Sequence, residues 1–355
     1  MDLYYDNIVY GLQKVGGIST YWYELTKRYQ RDPQFNIRFI ETATEQPNIM
    51  RRLLEIAPEH VVLKKTPTLY FERFRRVQMN PLDRHSVFHS SYFRVPVQDS
   101  KLKVVSTVHD FTHERYFKGP RLWLHNLAKK RAILESDAII TVSEHTRKDL
   151  LLYYPGIDPL KVQVIYNGVA EEFKVLPGQK DDQDLKFLYV GGRDAYKNFK
   201  FAVDIVHGLK DSSLTVVGPV FSAKEQQMLD LKIPGRYNLY SNISVHTLNK
   251  LYNESFCLLY PSSYEGFGIP LLEAMRAGCP FIALNASSIP EVTGNAGILL
   301  GRLDLEEAWH AVGLLRSDRQ RFVKAGLEQS LSFSWDKCYA ETTNLYSSLI
   351  GRNLV

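Results

Sequence analysis

A doubly wound α/β chain in two domains is the architecture this sequence predicts, and three observations predict it. Short apolar runs alternate with helical patterns along nearly the whole length. The alternation breaks once, at 171–184, where Pro177-Gly178 and the charged run Lys180-Asp181-Asp182 interrupt it, and then restarts. A chain of 355 residues is also longer than one ordinary core requires.

The expected strands are 37–41, 61–64, 87–89, 103–109, 138–142 and 162–166 in the first half. In the second they are 185–190, 213–217, 257–260 and 280–284. Most are apolar runs bounded by turn residues, as buried parallel strands are. Helical patterns lie between them at 19–30, 122–135, 144–152, 198–209 and 271–277. The domains are expected at 1–172 and 173–334. Open α/β sheets bind ligands beyond the carboxyl ends of their strands, so two such sheets facing each other form a cleft.

Composition bounds the class. An apolar fraction of 45% and a charged fraction of 23% are those of a soluble globular protein. No run of 18 apolar residues predicts a transmembrane helix, and the start Met1-Asp2-Leu3-Tyr4 does not resemble a signal peptide. Cys257, Cys279 and Cys338 have no metal-ligand spacing and read as buried thiols in a reducing cytoplasm. The net charge of +5 is uneven: residues 1–175 hold 26 Lys and Arg against 20 Asp and Glu. That excess suits an anionic membrane surface or a phosphate-bearing acceptor, and is too small for nucleic acid. Lys64-Lys65 and Tyr70-Phe71-Glu72-Arg73-Phe74-Arg75-Arg76 mix aromatic and basic residues. They read either as a membrane-facing segment or as an ordinary basic surface.

The chemistry concentrates in Tyr264-Glu265-Gly266-Phe267-Gly268-Ile269-Pro270-Leu271-Leu272-Glu273. A glycine-rich turn here opens an apolar helix, aims backbone N–H groups at one point and sets a helix dipole behind them. That is a phosphate cradle. Glu265 and Glu273 at its two ends can accept hydrogen bonds from hydroxyls. Phosphate flanked by hydroxyls describes a nucleotide sugar. Gly191-Gly192-Arg193-Asp194-Ala195-Tyr196-Lys197-Asn198 follows a strand and offers two cations to a diphosphate leaving group, Arg193 in bidentate fashion and Lys197 as a point charge. His109-Asp110 ends a strand, where an imidazole can donate to a sugar hydroxyl or simply bond a loop. Gly16-Gly17-Ile18-Ser19 reads as a wall against donor phosphate or as a tight turn, with Ser19 able to cap the next helix. Ser143 reads as a helix cap, and Asn167-Gly168 as a structural turn.

The run Tyr260 to Met275 resembles the signature of glycosyltransferase family 4. So do Ala277-Gly278-Cys279-Pro280, Ser288-Ile289-Pro290-Glu291-Val292 and Gly294-Asn295-Ala296-Gly297. Upstream the resemblance takes in Tyr189-Val190-Gly191-Gly192-Arg193 with Lys197-Asn198, Val164 to Val169, Ile140 to Glu144, His109-Asp110 and Gly16-Gly17. It implies a GT-B fold, two Rossmann-like domains facing across a cleft, with a helix over 335–355 crossing back to the first. It implies a nucleotide-sugar donor, GDP- or UDP-linked, and transfer with retention to a glycan or lipid-linked saccharide, with no metal or other cofactor.

By that resemblance Arg193 and Lys197 bind diphosphate. Glu265 with Gly266, Phe267 and Gly268 holds the sugar. The helix start at Ile269, with Leu271 and Leu272, offers N–H groups to phosphate, and Glu273 binds ribose. His109 contacts the donor sugar and Gly17 lines the phosphate. Many relatives separate the Arg and Lys by five or six positions, against four here, which makes Lys200 an alternative donor. The resemblance leans to GDP-mannose and to O-antigen or capsule assembly at the inner face of the membrane. A GT-B phosphorylase, a nucleotide-sugar hydrolase or epimerase, and an inactive scaffold are the rival readings.

Overall fold

The structure is a computed structural model, and it describes residues 1–14, 16–42, 48–64, 72–79, 85–177 and 185–351. It divides into two compact units, Met1–Asn167 with Trp335–Val355, and Gly168–Ser334. The change of unit comes five residues before the expected 172. The reason is local: Val169 bridges to Ser334, and the Lys174 and Leu176 N–H groups donate to the side chains of Asn249 (3.0 Å) and Asn253 (2.8 Å). These bonds commit 169–176 to the second unit.

The first unit holds a seven-stranded parallel sheet in the order β3-β2-β1-β4-β5-β6-β7. The strands are β1 Asp2–Asp6, β2 Asn36–Thr42, β3 Val61–Lys64, β4 Ser86–Ser90, β5 Leu102–Val108, β6 Ala138–Thr141 and β7 Val162–Val164. The second unit has six parallel strands in the order β10-β9-β8-β11-β12-β13. They are β8 Leu185–Val190, β9 Ser212–Val217, β10 Tyr237–Tyr240, β11 Cys257–Tyr260, β12 Phe281–Leu284 and β13 Ile298–Leu300. In both sheets the winding direction reverses beside the first strand, between β1 and β4 and between β8 and β11. Such switch points open a crevice at the strand ends. Burial follows the strands: β4, β6, β11 and β12 are buried at every position.

The ten expected strands are present, with ends moved by two residues at most. Three strands lie outside these expectations, two for want of an apolar run and one for its shortness. β1 reads Asp-Leu-Tyr-Tyr-Asp, β10 reads Tyr-Asn-Leu-Tyr on a sheet edge, and β13 has only three residues.

The helix Trp335–Leu349 belongs to the core of the first unit, where Trp335, Cys338 and Tyr346 are buried among Tyr5, Trp22 and Tyr29. Tyr346 OH sits 3.1 Å from Tyr5 OH and bonds His89 Nδ1, whose Nε2 lies 2.8 Å from Thr107 Oγ1. Tyr29 OH meets Thr343 Oγ1 at 2.9 Å. These buried polar groups are satisfied by one another, which fixes the helix in one register. At the switch point of this sheet Arg94 and Asp6, both 1% exposed, pair at 3.2 Å.

Candidate functional site

In the second unit two loops leave adjacent strands at the switch point, 191–198 after β8 and 261–268 after β11. Asn198 ties them together. Its side-chain amide donates to the carbonyls of Tyr196 (3.2 Å) and Pro261 (2.8 Å) and to Ser263 Oγ (2.7 Å), and Ser263 N–H donates to Tyr196 O at 2.8 Å. Asn198 does this from a left-handed conformation, φ +50°. That backbone costs a non-glycine residue about 1 kcal/mol or more, which the three side-chain bonds offset.

The fastening brings Lys197 Nζ to 2.7 Å from Glu265 Oε1, with both side chains largely buried. The sequence separates these residues by 68 positions and suggested separate roles. The structure makes them one ion pair. One of three ammonium donors is used, so Lys197 can still offer two to a phosphate. Tyr260 also hydrogen-bonds Glu265, and burial, then that carboxylate, raise the Tyr260 phenol well above its ordinary value. Lys200, the alternative donor, is paired with Asp204 at 2.6 Å and mostly exposed. The shorter Arg–Lys spacing is therefore met by the tight 195–197 turn and left-handed Asn198, which place Lys197 itself at the site.

The cradle is braced from β12. Ser287 Oγ accepts from Glu265 N–H at 2.8 Å, and Ser288 Oγ donates to the carbonyls of Glu265 (2.9 Å) and Phe267 (3.0 Å). Gly268, at φ +103°, turns the chain into the helix Ile269–Arg276, whose first turn carries no acidic residue. Its positive end is uncompensated. Leu271 N–H, expected to face phosphate, is committed to the Gly268 carbonyl at 2.9 Å, and Pro270 has no N–H to give. Glu273 Oε2 accepts from Tyr252 OH at 2.9 Å. Burial raises its carboxyl to about 7, and the Tyr252 bond opposes that rise.

Arg193 pairs with a different carboxylate. Its Nε lies 2.6 Å from Glu225 Oε1, its Nη2 donates to Val220 O at 2.9 Å, and the side chain is 5% exposed. Gly218, just past β9, lets the 191–198 loop pass close by: a Cβ there would stand 2.4 Å from Gly191 O. A depression of ≈ 470 Å³ opens beside the Arg193–Glu225 pair, lined also by Asn198, Phe201, Lys224 and Met228.

In the first unit His109 follows β5, with its ring 5.0 Å from Tyr21 in an edge contact. Its Nε2 is closed off and has no partner among the described residues. Burial first, then Lys129, lowers its pKa to about 4 against the pull of Asp110. The ring is neutral near pH 7. Asp110 is anchored behind it: Lys129 Nζ donates to Asp110 O at 2.7 Å and pairs with Glu114 at 2.9 Å. Gly17 begins the helix Gly17–Tyr29 with Gly16 as its N-cap residue. Ser19, expected as the cap, lies inside the first turn and donates back to Gly16 O at 2.9 Å. Ser143 is a cap, accepting from Thr146 N–H at 3.0 Å.

Of the basic segment 64–76, residues 65–71 lie outside the described residues. The rest is largely neutralised from within the first unit, Arg75 by Glu72 (3.9 Å) and Arg76 by Glu135 (2.7 Å). Sequence reasoning gave no role to Asn198, Gly218, Ser287, Ser288 or Glu225. The family resemblance included Lys197-Asn198 and Ser288-Ile289-Pro290, and so marked two of them without a role.

Two family models cover the chain in succession: Glycosyltransferase Family 4 over residues 15–173, and Glycosyl transferases group 1 over 171–324. The chain is 27% identical over 287 residues to the O-antigen chain mannosyltransferase B of Escherichia coli, covering 74% of each. It is 28% identical over 221 residues to the O-antigen chain mannosyltransferase RfbU of Salmonella typhimurium, covering 58% of each. Among solved structures, Anabaena HepE in complex with UDP and glucose superposes with a TM-score of 0.74 at 15% identity, over 98% of this chain and 99% of that one. Sucrose-phosphate synthase from Thermosynechococcus elongatus gives 0.76 at 16%, over 99% of both. At these identities the structures establish the fold.

The raised Glu273 carboxyl carries a signed prediction. The folded chain keeps this proton to about pH 7, whereas the unfolded chain releases it near 4.5. The group therefore stabilises the fold at low pH, and that contribution is lost as pH rises through 7. Glu273→Gln abolishes the loss. The melting temperature of the variant, relative to the parent, should rise by roughly 2–4 °C or more between pH 5 and pH 8. A difference independent of pH would contradict the assignment.

Proposed function

The chain belongs to glycosyltransferase family 4, its two parallel sheets are those of the GT-B fold, and on that premise we propose that it moves a hexose from a nucleotide sugar to a glycan or lipid-linked glycan acceptor with retention at the anomeric carbon. The observation that carries the reading is the Lys197–Glu265 pair set before an uncompensated helix N-terminus at the switch point of the second sheet. A cation, a carboxylate and a helix end within one crevice match a diphosphate joined to a polyhydroxylated ring.

In this reading the bond between the anomeric carbon and the diphosphate oxygen breaks as the acceptor oxygen bonds to the same face of that carbon. The departing phosphate takes the acceptor's proton. Lys197, the helix start at Ile269 and Arg193 stabilise the charge that develops on the leaving group. No metal is assigned a part. Glu265 accepts from hydroxyls of the sugar, and Glu273 from the ribose diol. Neutral His109 takes a hydroxyl of the transferred sugar. The names of the mannosyltransferase relatives favour GDP-mannose as donor and O-antigen or capsule polysaccharide as product. The complexes of HepE with UDP and UDP-glucose keep a UDP-linked donor as the second choice.

We assign the enzyme to the cytoplasmic face of a membrane. No helix among the described residues is long and apolar enough to cross a membrane. The helix Pro120–Glu135 exposes Trp123 (64%), Leu127 (45%) and Leu134 (54%), and exposed Tyr116, Phe117 and Lys118 precede it. Apolar side chains beside Lys118 and Lys130 suit an anionic lipid surface better than the largely neutralised 72–76 segment does. Sedimentation with vesicles should retain the protein on anionic but not on neutral lipid, and Trp123→Ser with Leu127→Ser should release it. Equal binding to both lipids would contradict this contact.

Transfer from GDP-mannose and from UDP-hexoses to a glycan acceptor tests the main reading. Lys197→Ala and Glu265→Ala should each lower kcat/KM by about 100-fold or more without loss of fold. Near-normal transfer by either variant would remove its residue from the mechanism. Sugar released to water at the same rate with and without acceptor would identify a hydrolase instead.

A further inference from the structure

Glu225 stands at the edge of the donor crevice without a part in the chemistry above. It is the third residue of a capping box. Its Oε2 accepts from Ser222 N–H and Ser222 Oγ, both at 2.7 Å, while Ser222 Oγ caps the helix Ala223–Lys232. Oε1 meets Arg193 Nε at 2.6 Å, and Oε2, besides its capping bonds, accepts a longer bond from Arg193 Nη2 at 3.4 Å. The guanidinium is also fixed by Val220 O and lies against the rings of Phe221 (4.9 Å) and Phe199 (5.7 Å). Two of its edges are thus committed. Nη1 is closed off and has no partner among the described residues, beside Gly218 and the glycine loop that carries Arg193.

The geometry points to Glu225 as a positioning residue that holds Arg193 by its Nε edge and reserves Nη1 for the diphosphate of the nucleotide. The inference rests on the donor-site reading above and adds a residue to it. A free arginine has many rotamers and loses that freedom when it binds an anion. Glu225, locked by its own cap, removes that loss beforehand. The same device recurs at Lys197, which Glu265 holds. Both cations assigned to phosphate are then fixed by a carboxylate on an element of the second unit. A buried N–H without an acceptor is costly and is expected where a ligand supplies the acceptor. The opposite role is chemically conceivable for a carboxylate on a phosphate ligand: Glu225 would compete with the diphosphate, and removing its charge would tighten binding.

Calorimetric titration of the full chain with GDP and with UDP separates these. The variants are Glu225→Gln, Ser222→Ala, Arg193→Ala and the double variant Arg193→Ala/Glu225→Gln. Glu225→Gln keeps an acceptor for the cap and loses the charge. It should weaken the nucleotide that the parent binds by about tenfold, and that loss should vanish in the Arg193→Ala background. Ser222→Ala should lower the melting temperature and, because the Ser222 N–H bond to Oε2 survives, weaken the nucleotide less than Glu225→Gln does, which separates the cap from the positioning role. Unchanged or tighter binding by Glu225→Gln, or a tenfold loss that persists without Arg193, would overturn the positioning role alone. A parent that binds neither nucleotide would overturn the donor-site reading and this inference with it.

Discussion

Lys197 and Glu265 meet where two loops leave neighbouring strands, and the rest of the candidate site depends on that ion pair staying in place. Two largely buried charges tolerate each other's absence poorly, because the survivor is left uncompensated. The pair therefore constrains both loops, and the surrounding structure is built to keep it. Asn198 binds one loop to the other. Ser287 and Ser288 hold the peptide groups of the Glu265–Phe267 turn. Gly218 leaves room for Gly191 to pass. The result is a pre-organised set of charges and dipoles, the form in which electrostatic stabilisation of a leaving group is most effective.

The first unit is organised by a different constraint. Its centre is an aromatic and polar network through Tyr5, Tyr29, His89, Thr107 and Tyr346, closed by a helix that arrives from the far end of the chain. Burial lowers the pKa of both His89 and His109. Neutral imidazoles need specific partners, and His89 has two. His109 Nε2 has none among the described residues, which sets this ring apart from the structural His89.

The fold was legible because buried parallel strands announce themselves as apolar runs. Where that signal fails, so did the reading: β1 is framed by Asp2 and Asp6, and the edge strand β10 alternates tyrosines with Asn238 and Leu239. The turn that opens the helix Ile269–Arg276, the candidate cradle, was legible from one stretch, because Gly268, Pro270 and the two glutamates stand in local spacing. The supports were not. Asn198 acts through contacts with residues 63 to 65 positions away, and Glu225 through an arginine 32 positions away. Nothing local distinguishes an asparagine that joins two loops from one that ends a turn. Ser19 shows the converse, a plausible cap whose place Gly16 had already taken.

The crystal structure of the chain with GDP or UDP bound tests the central claim most directly. The account predicts the diphosphate within hydrogen-bond distance of Lys197 Nζ and against the Gly266–Ile269 backbone, with the ribose on Glu273. A nucleotide seated elsewhere, with the Lys197–Glu265 pair untouched, would contradict it.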